Sequence, residues 1–182
     1  PDSPGHGFAR LTEWEVESTE RAGDGVRISL ALRASPATRE VWNYDFVARY
    51  VVTFGATLTV ELRVQNLSQK PLRYEEALHT YLSVGDVRRV KVTGLESTKY
   101  VSKVEGGEFP PTGEPITISA ETDRIYLGTT STVNVVDDAF GRTLTVGKTG
   151  SNTTVVWNPW VAKSRTMTDF GDDEWPGMIC VE

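Results

Sequence analysis

The chain has 182 residues, 38% of them hydrophobic and 24% charged, which suits one globular domain with a sizeable core and argues against disorder. A formal net charge of -6 argues against a nucleic-acid surface, which needs clustered Lys and Arg to displace phosphate counterions, but it leaves room for a small anion in a local basic pocket. The single cysteine, Cys180, rules out an intrachain disulfide and fits a reducing, cytoplasmic setting. The longest apolar runs, such as Phe46-Val47-Ala48, are far too short to span a bilayer as a helix.

The chain opens on Pro1-Asp2-Ser3-Pro4, with neither a methionine nor the basic and apolar regions of a secretory signal. Gly5-His6-Gly7-Phe8-Ala9-Arg10 follows, with an imidazole between glycines that permit close backbone approach or positive φ. From there the dominant period is two. Val26, Ile28, Leu30 and Leu32 alternate with Arg27, Ser29, Ala31 and Arg33, and Leu58, Val60, Leu62 and Val64 alternate with Thr59, Glu61, Arg63 and Gln65, the pattern of strands with one buried face. A further strand is expected over Leu72 to Val84, where Glu75, Ala77, His79, Tyr81 and Ser83 share one face. The stretch from Glu105 to Pro115, rich in Gly and Pro, reads as an exposed excursion. Turn signals recur at close intervals, among them Gly23-Asp24-Gly25, Phe54-Gly55, Gly85-Asp86, Asp137-Asp138 and Gly150-Ser151-Asn152. No window carries a convincing amphipathic helix, so the expectation is an all-β antiparallel domain, a sandwich or a barrel, over residues 1–182.

Two histidines stand out. His79 projects from a mixed polar and aromatic face with Glu75 and Tyr81, which suits either a ligand cleft or a hydrogen-bonded structural residue; His6 is either a site residue or part of a surface loop. In Met178-Ile179-Cys180-Val181-Glu182, Glu182 shares the parity of Met178 and Cys180. Buried there, its pKa would rise and it would be a usable base; at a frayed chain end it would be solvated. Trp157 and Trp160 could stack on a sugar ring or pack in the core. The acidic run Asp169, Asp172, Asp173 and Glu174 lacks the ligand spacing of a calcium loop and reads as a solvated loop, and Cys180 as a small buried residue.

The segments HGFAR (6–10), EALHTYL (76–82), TDRIY (122–126), VVWNPW (155–160) and MICVE (178–182) resemble, in order and spacing, the hexose-6-phosphate mutarotases, the glucose-6-phosphate 1-epimerase branch of the aldose 1-epimerase superfamily. The resemblance implies a large antiparallel β-sandwich of galactose-mutarotase type, and it implies that this chain is the central part of a longer protein. It also implies roles: His79 as the acid that protonates the ring oxygen, Glu182 as the base that takes the anomeric hydroxyl proton, Asp123 holding sugar hydroxyls, Arg10 contacting the phosphate and His6 lining the cleft. The reaction would need no cofactor and no metal. The expected partner is a small-molecule hexose phosphate, with neither nucleic acid nor membrane, and the expected state a monomer. Two departures bear on the phosphate: Gly5 stands where the family commonly has glutamine, and the family's additional substrate arginine lies upstream of Pro1. An aldose 1-epimerase acting on unphosphorylated sugars and a non-catalytic carbohydrate-binding sandwich are the alternatives.

Overall fold

The computed structural model describes residues 5–182, and the chain divides into two compact units, one running to Glu76 and the other starting at Ala77. The first is an antiparallel meander in which β1 (Glu15–Ala22), β2 (Gly25–Arg33), β3 (Phe46–Phe54) and β4 (Leu58–Asn66) pair in chain order. The period-two runs fall on β2 and β4 as their alternation predicts. Gly23, with φ +62°, and Asp24 turn β1 into β2, so that Ala22 pairs with Gly25. Gly25 must lack a side chain, because a Cβ there would come within 2.0 Å of the Phe54 carbonyl oxygen on β3. The buried face of the unit gathers Leu32, Phe46 and Ala48, with Phe8, Trp14, Trp42 and Leu62 packed against them.

Between β2 and β3 lies a six-residue helix, α1 (Pro36–Val41), and the second unit holds another short one, α2 (Trp160–Ser164). Neither was expected from the sequence. Both are too short to display a 3.6-residue hydrophobic period; α1 is instead specified by its start, where Ser35 and Thr38 form a reciprocal capping box and Pro36 takes the first turn.

The second unit contains two antiparallel sheets. The strands β5 (Tyr81–Ser83), β7 (Tyr100–Ser102), β8 (Glu108–Phe109), β10 (Thr122–Leu127), β13 (Thr153–Asn158) and β14 (Met178–Val181) form a six-stranded sheet in the order β5-β14-β13-β10-β7-β8. A four-stranded sheet, ordered β12-β11-β6-β9, comprises β6 (Val90–Thr93), β9 (Ile116–Thr117), β11 (Val133–Asp137) and β12 (Arg142–Val146). Side chains of both sheets meet in one core that includes Val92, Val135, Tyr126, Val156, Ile179 and Val181. Each Val or Ile buried there contributes roughly 1.5–3 kcal/mol through removal of apolar surface from water. Strand parity puts the paired residues Val156 and Val181 in the core and points their neighbours Trp157 and Cys180 the other way.

The expected strand from Leu72 to Val84 is corrected by the structure, which keeps only Tyr81–Ser83 in a ladder; residues 71–80 are not in a strand. Alternation describes which side chains share a face but supplies no neighbouring strand, and β14 pairs with Tyr81, Leu82 and Ser83 alone. The excursion from Glu105 to Pro115 is exposed as expected, apart from Phe109, which is half-buried and stacks on Tyr100. Among the described residues, no helix is long and apolar enough to cross a membrane.

Candidate active site

The six-stranded sheet sets its chemistry out in a row. Asp123 on β10 pairs with Trp157 on β13, Trp157 with Cys180 on β14, and Cys180 with Tyr81 on β5, so four residues distant in sequence stand side by side on the face away from the core. Glu182 lies two residues beyond Cys180 and is held in register by reciprocal backbone bonds with Val155, its N–H donating to the Val155 carbonyl and its carbonyl accepting from the Val155 N–H, both at 3.0 Å. His79 precedes Tyr81 by two residues and shares its side.

These placements bring His79 Nδ1 to 3.3 Å from Glu182 Oε1. The carboxylate is the buried member, its side chain 7% exposed against 37% for the imidazole. Burial, and secondarily the charge of Asp123, push Glu182 from the usual carboxylate range up to about 7. A carboxyl poised there is a usable base at physiological pH, and imidazole is the side chain best suited to donate a proton at the same pH.

Aromatic rings frame the pair. His79 stacks on Tyr81 with centroids 4.9 Å apart and planes 14° from parallel, and the Trp157 indole meets His79 edge-on at 5.5 Å. Trp157 is buried with Met178 and Cys180, which makes it packing beneath the site, and Trp160 packs on Trp175 at 4.3 Å. Cys180 is fully buried, and burial drives its thiol pKa strongly upward, in keeping with an inert residue. His79, Cys180 and Glu182 bring possible metal-ligand atoms within 4.8 Å of one another. Metal binding requires those ligands to lose their protons, whereas burial favours the protonated thiol and carboxyl, so the set suits proton transfer better than a cation.

Of the residues singled out in the sequence, His79, Glu182 and Asp123 are therefore assembled on one sheet face. His6 and Arg10 belong to the other unit. There His6 takes φ 61° and Gly7 φ 72°, a tight left-handed turn that exposes the imidazole, while Phe8 anchors the loop against Trp42 and Phe46. Arg10 lies in a single 3-10 turn (Ala9–Leu11), exposed, its guanidinium donating to the Gly5 carbonyl at 3.5 Å. Tyr81 was assigned no role in the sequence, although its shared face with His79 was the signal that could have marked it. The acidic run is borne as loop: Asp169, Asp172, Asp173 and Glu174 are all exposed.

The family model described as Aldose 1-epimerase matches residues 2–182. A protein of Cenchrus ciliaris, provisionally named glucose-6-phosphate 1-epimerase, is 34% identical over 97% of this chain and 57% of its own length. An Escherichia coli K12 protein of the same provisional name is 33% identical over 98% of this chain and 60% of its own. Among solved structures, a provisionally named mutarotase of Salmonella typhimurium superposes with a TM-score of 0.88 at 32% identity, covering 98% of this chain and 59% of that one. A galactose mutarotase related enzyme of Lactobacillus acidophilus shares the fold, with a TM-score of 0.71 at 16% identity over 97% of this chain and 60% of that one. The chain thus spans 57–60% of the length of these two curated relatives. The match over nearly every residue, on an antiparallel β fold that these structures share, makes the chain a member of the aldose 1-epimerase family.

Proposed function

We propose that the protein interconverts the α and β anomers of a hexose 6-phosphate by acid–base catalysis. The observation that carries this reading is the contact between His79 and Glu182, an imidazole and a buried carboxyl 3.3 Å apart with the carboxyl raised to about 7. The provisional names of the relatives from Cenchrus ciliaris and Escherichia coli supply the substrate.

The ring oxygen and the anomeric hydroxyl are bonded to the same carbon, so two adjacent groups can serve both. His79 donates a proton to the ring oxygen while Glu182 takes the proton of the anomeric hydroxyl. The bond between the anomeric carbon and the ring oxygen breaks, and its electron pair stays on that oxygen, now a hydroxyl. The anomeric carbon becomes an aldehyde. Rotation about the bond to the next carbon presents its other face; the hydroxyl attacks, His79 recovers its proton from that oxygen, and Glu182 returns its proton to the new anomeric hydroxyl. Both residues end as they began, with no redox partner and no net proton change.

Asp123 is assigned to the sugar hydroxyls, Arg10 to the phosphate, where a guanidinium offers paired donors to phosphate oxygens, and His6 to the lining of the cleft. The protein acts as a monomer in this reading, and a charged sugar phosphate as substrate suits the cytoplasm. An epimerase for free aldoses is the second reading, favoured by the family model's own description. Anomer exchange followed by NMR on glucose 6-phosphate and on glucose, with the intact protein, tests both. Faster exchange of the phosphate ester is expected. Equal rates on the two sugars would move the assignment to the free-aldose reading, and exchange at the spontaneous rate on both would leave a carbohydrate-binding protein without turnover.

A further inference from the structure

We infer that Tyr81 is a positioning residue for His79, held in turn by Trp157, an inference that rests on the acid–base reading of the His79–Glu182 pair. His79 sits just outside the ladder, because β5 begins at Tyr81 and is the edge strand of its sheet. Next to it, the Thr80 N–H donates to the Leu78 carbonyl at 2.9 Å. Beside Glu182, the imidazole has two aromatic neighbours. Tyr81 presents its flat face at 4.9 Å, and Trp157 presents an edge to both rings, 5.5 Å from His79 and 6.0 Å from Tyr81. Trp157 is buried against Met178 and Cys180, and Phe170 backs Tyr81 at 6.4 Å.

A stacked ring limits rotation of the imidazole about its side-chain bonds, and the edge of Trp157 sets how far the stack can slide. Proton transfer is steep in distance and angle, and displacement by about 1 Å can cost on the order of 100-fold. Tyr81 is half-exposed, so its ring is dispensable for the core and its contribution falls on the orientation of His79.

The test replaces Tyr81 in the intact protein by Phe, which keeps the ring, and by Leu, which keeps apolar bulk without it, with Tyr81→Met as a second ringless variant in case Tyr81→Leu fails to fold. The ringless variants are expected to lose about 3- to 10-fold in kcat, the range that an aromatic pair supports, with KM within about twofold of the parent and with Tyr81→Phe close to it. Added to His79→Asn, Tyr81→Leu should lower the residual rate no further, since it acts through the imidazole. The His79 ring-proton signals, assigned by their absence in His79→Asn, should shift and broaden when the ring is lost. An unchanged kcat, a rise confined to KM, an equal further loss in the His79→Asn background, or a Tyr81→Phe variant as poor as Tyr81→Leu would each overturn the inference. If the parent protein gives no catalysed exchange, the acid–base reading itself falls, and the His79 ring signals alone then decide whether Tyr81 orients the imidazole.

Discussion

The Nδ1 of His79 and the Oε1 of Glu182, from residues just outside the ends of β5 and β14, lie 3.3 Å apart. Their proximity follows from the ladder between these strands, in which Cys180 pairs with Tyr81 and each site residue lies two positions further along on the same face. Replacing His79 by Asn or Glu182 by Gln preserves shape and removes proton transfer, so anomer exchange should fall by on the order of 10²–10⁴-fold. NMR exchange above the spontaneous background measures it, and substrate binding should survive better than turnover.

The rate should depend on pH through Glu182. Its base form is required, and its pKa in the folded protein is about 7. The kcat/KM for exchange should therefore climb with pH through a midpoint near 7, and in Glu182→Gln that ascending limb should disappear along with most of the rate.

The same carboxyl makes a prediction about stability, of opposite sign to that of an ion-paired acid. The folded-state pKa, about 7, lies above the ordinary value of 4.5, so the folded protein holds this proton more tightly than the unfolded chain does. Stability contributed by this group is present below pH 4.5 and is lost as pH rises toward 7, a cost of up to about 3 kcal/mol above that. Denaturant melts at pH 5 and pH 8 should show the parent losing more stability than Glu182→Gln across the interval.

Arg10 tests the substrate. If its guanidinium reads the phosphate, Arg10→Ala should lower kcat/KM for hexose 6-phosphate by about 10- to 150-fold and affect free glucose much less. Equal losses on both sugars would assign Arg10 to ordering the loop around Gly5, whose carbonyl its guanidinium contacts at 3.5 Å.

Asp137 should matter to stability and not to chemistry. It is fully buried at the end of β11, where its carboxylate accepts from the backbone N–H groups of Gly85 and Phe140 and stands 3.5 Å from the Arg142 guanidinium. Asp137→Ala strands those donors, and thermal or denaturant unfolding should register a loss of about 2–3 kcal/mol.

The all-β character was legible in the sequence, because period-two alternation in 26–33 and 58–65 puts alternate side chains on one face of a strand, and the glycine-marked turns space the strands. The candidates His79, Asp123 and Glu182 were also marked in the sequence, through motifs whose order is linear. What emerged only when the chain had paired with itself depends on non-local partners. Residues 71–80 alternate like a strand and are not one, since no neighbour offers a ladder, and α1 and α2 are too short for any period to announce them. Glu182 could have been a solvated end; pairing with Val155 draws it onto a covered face near Asp123, and that burial raises its pKa. The stacking of Tyr81 on His79 was likewise a matter of shared parity in the sequence and became a contact when Trp157, from a strand distant in the chain, closed beside both rings. Parity along one strand is a local property of the backbone, whereas burial, charge proximity and ring contact are set by which strands come together.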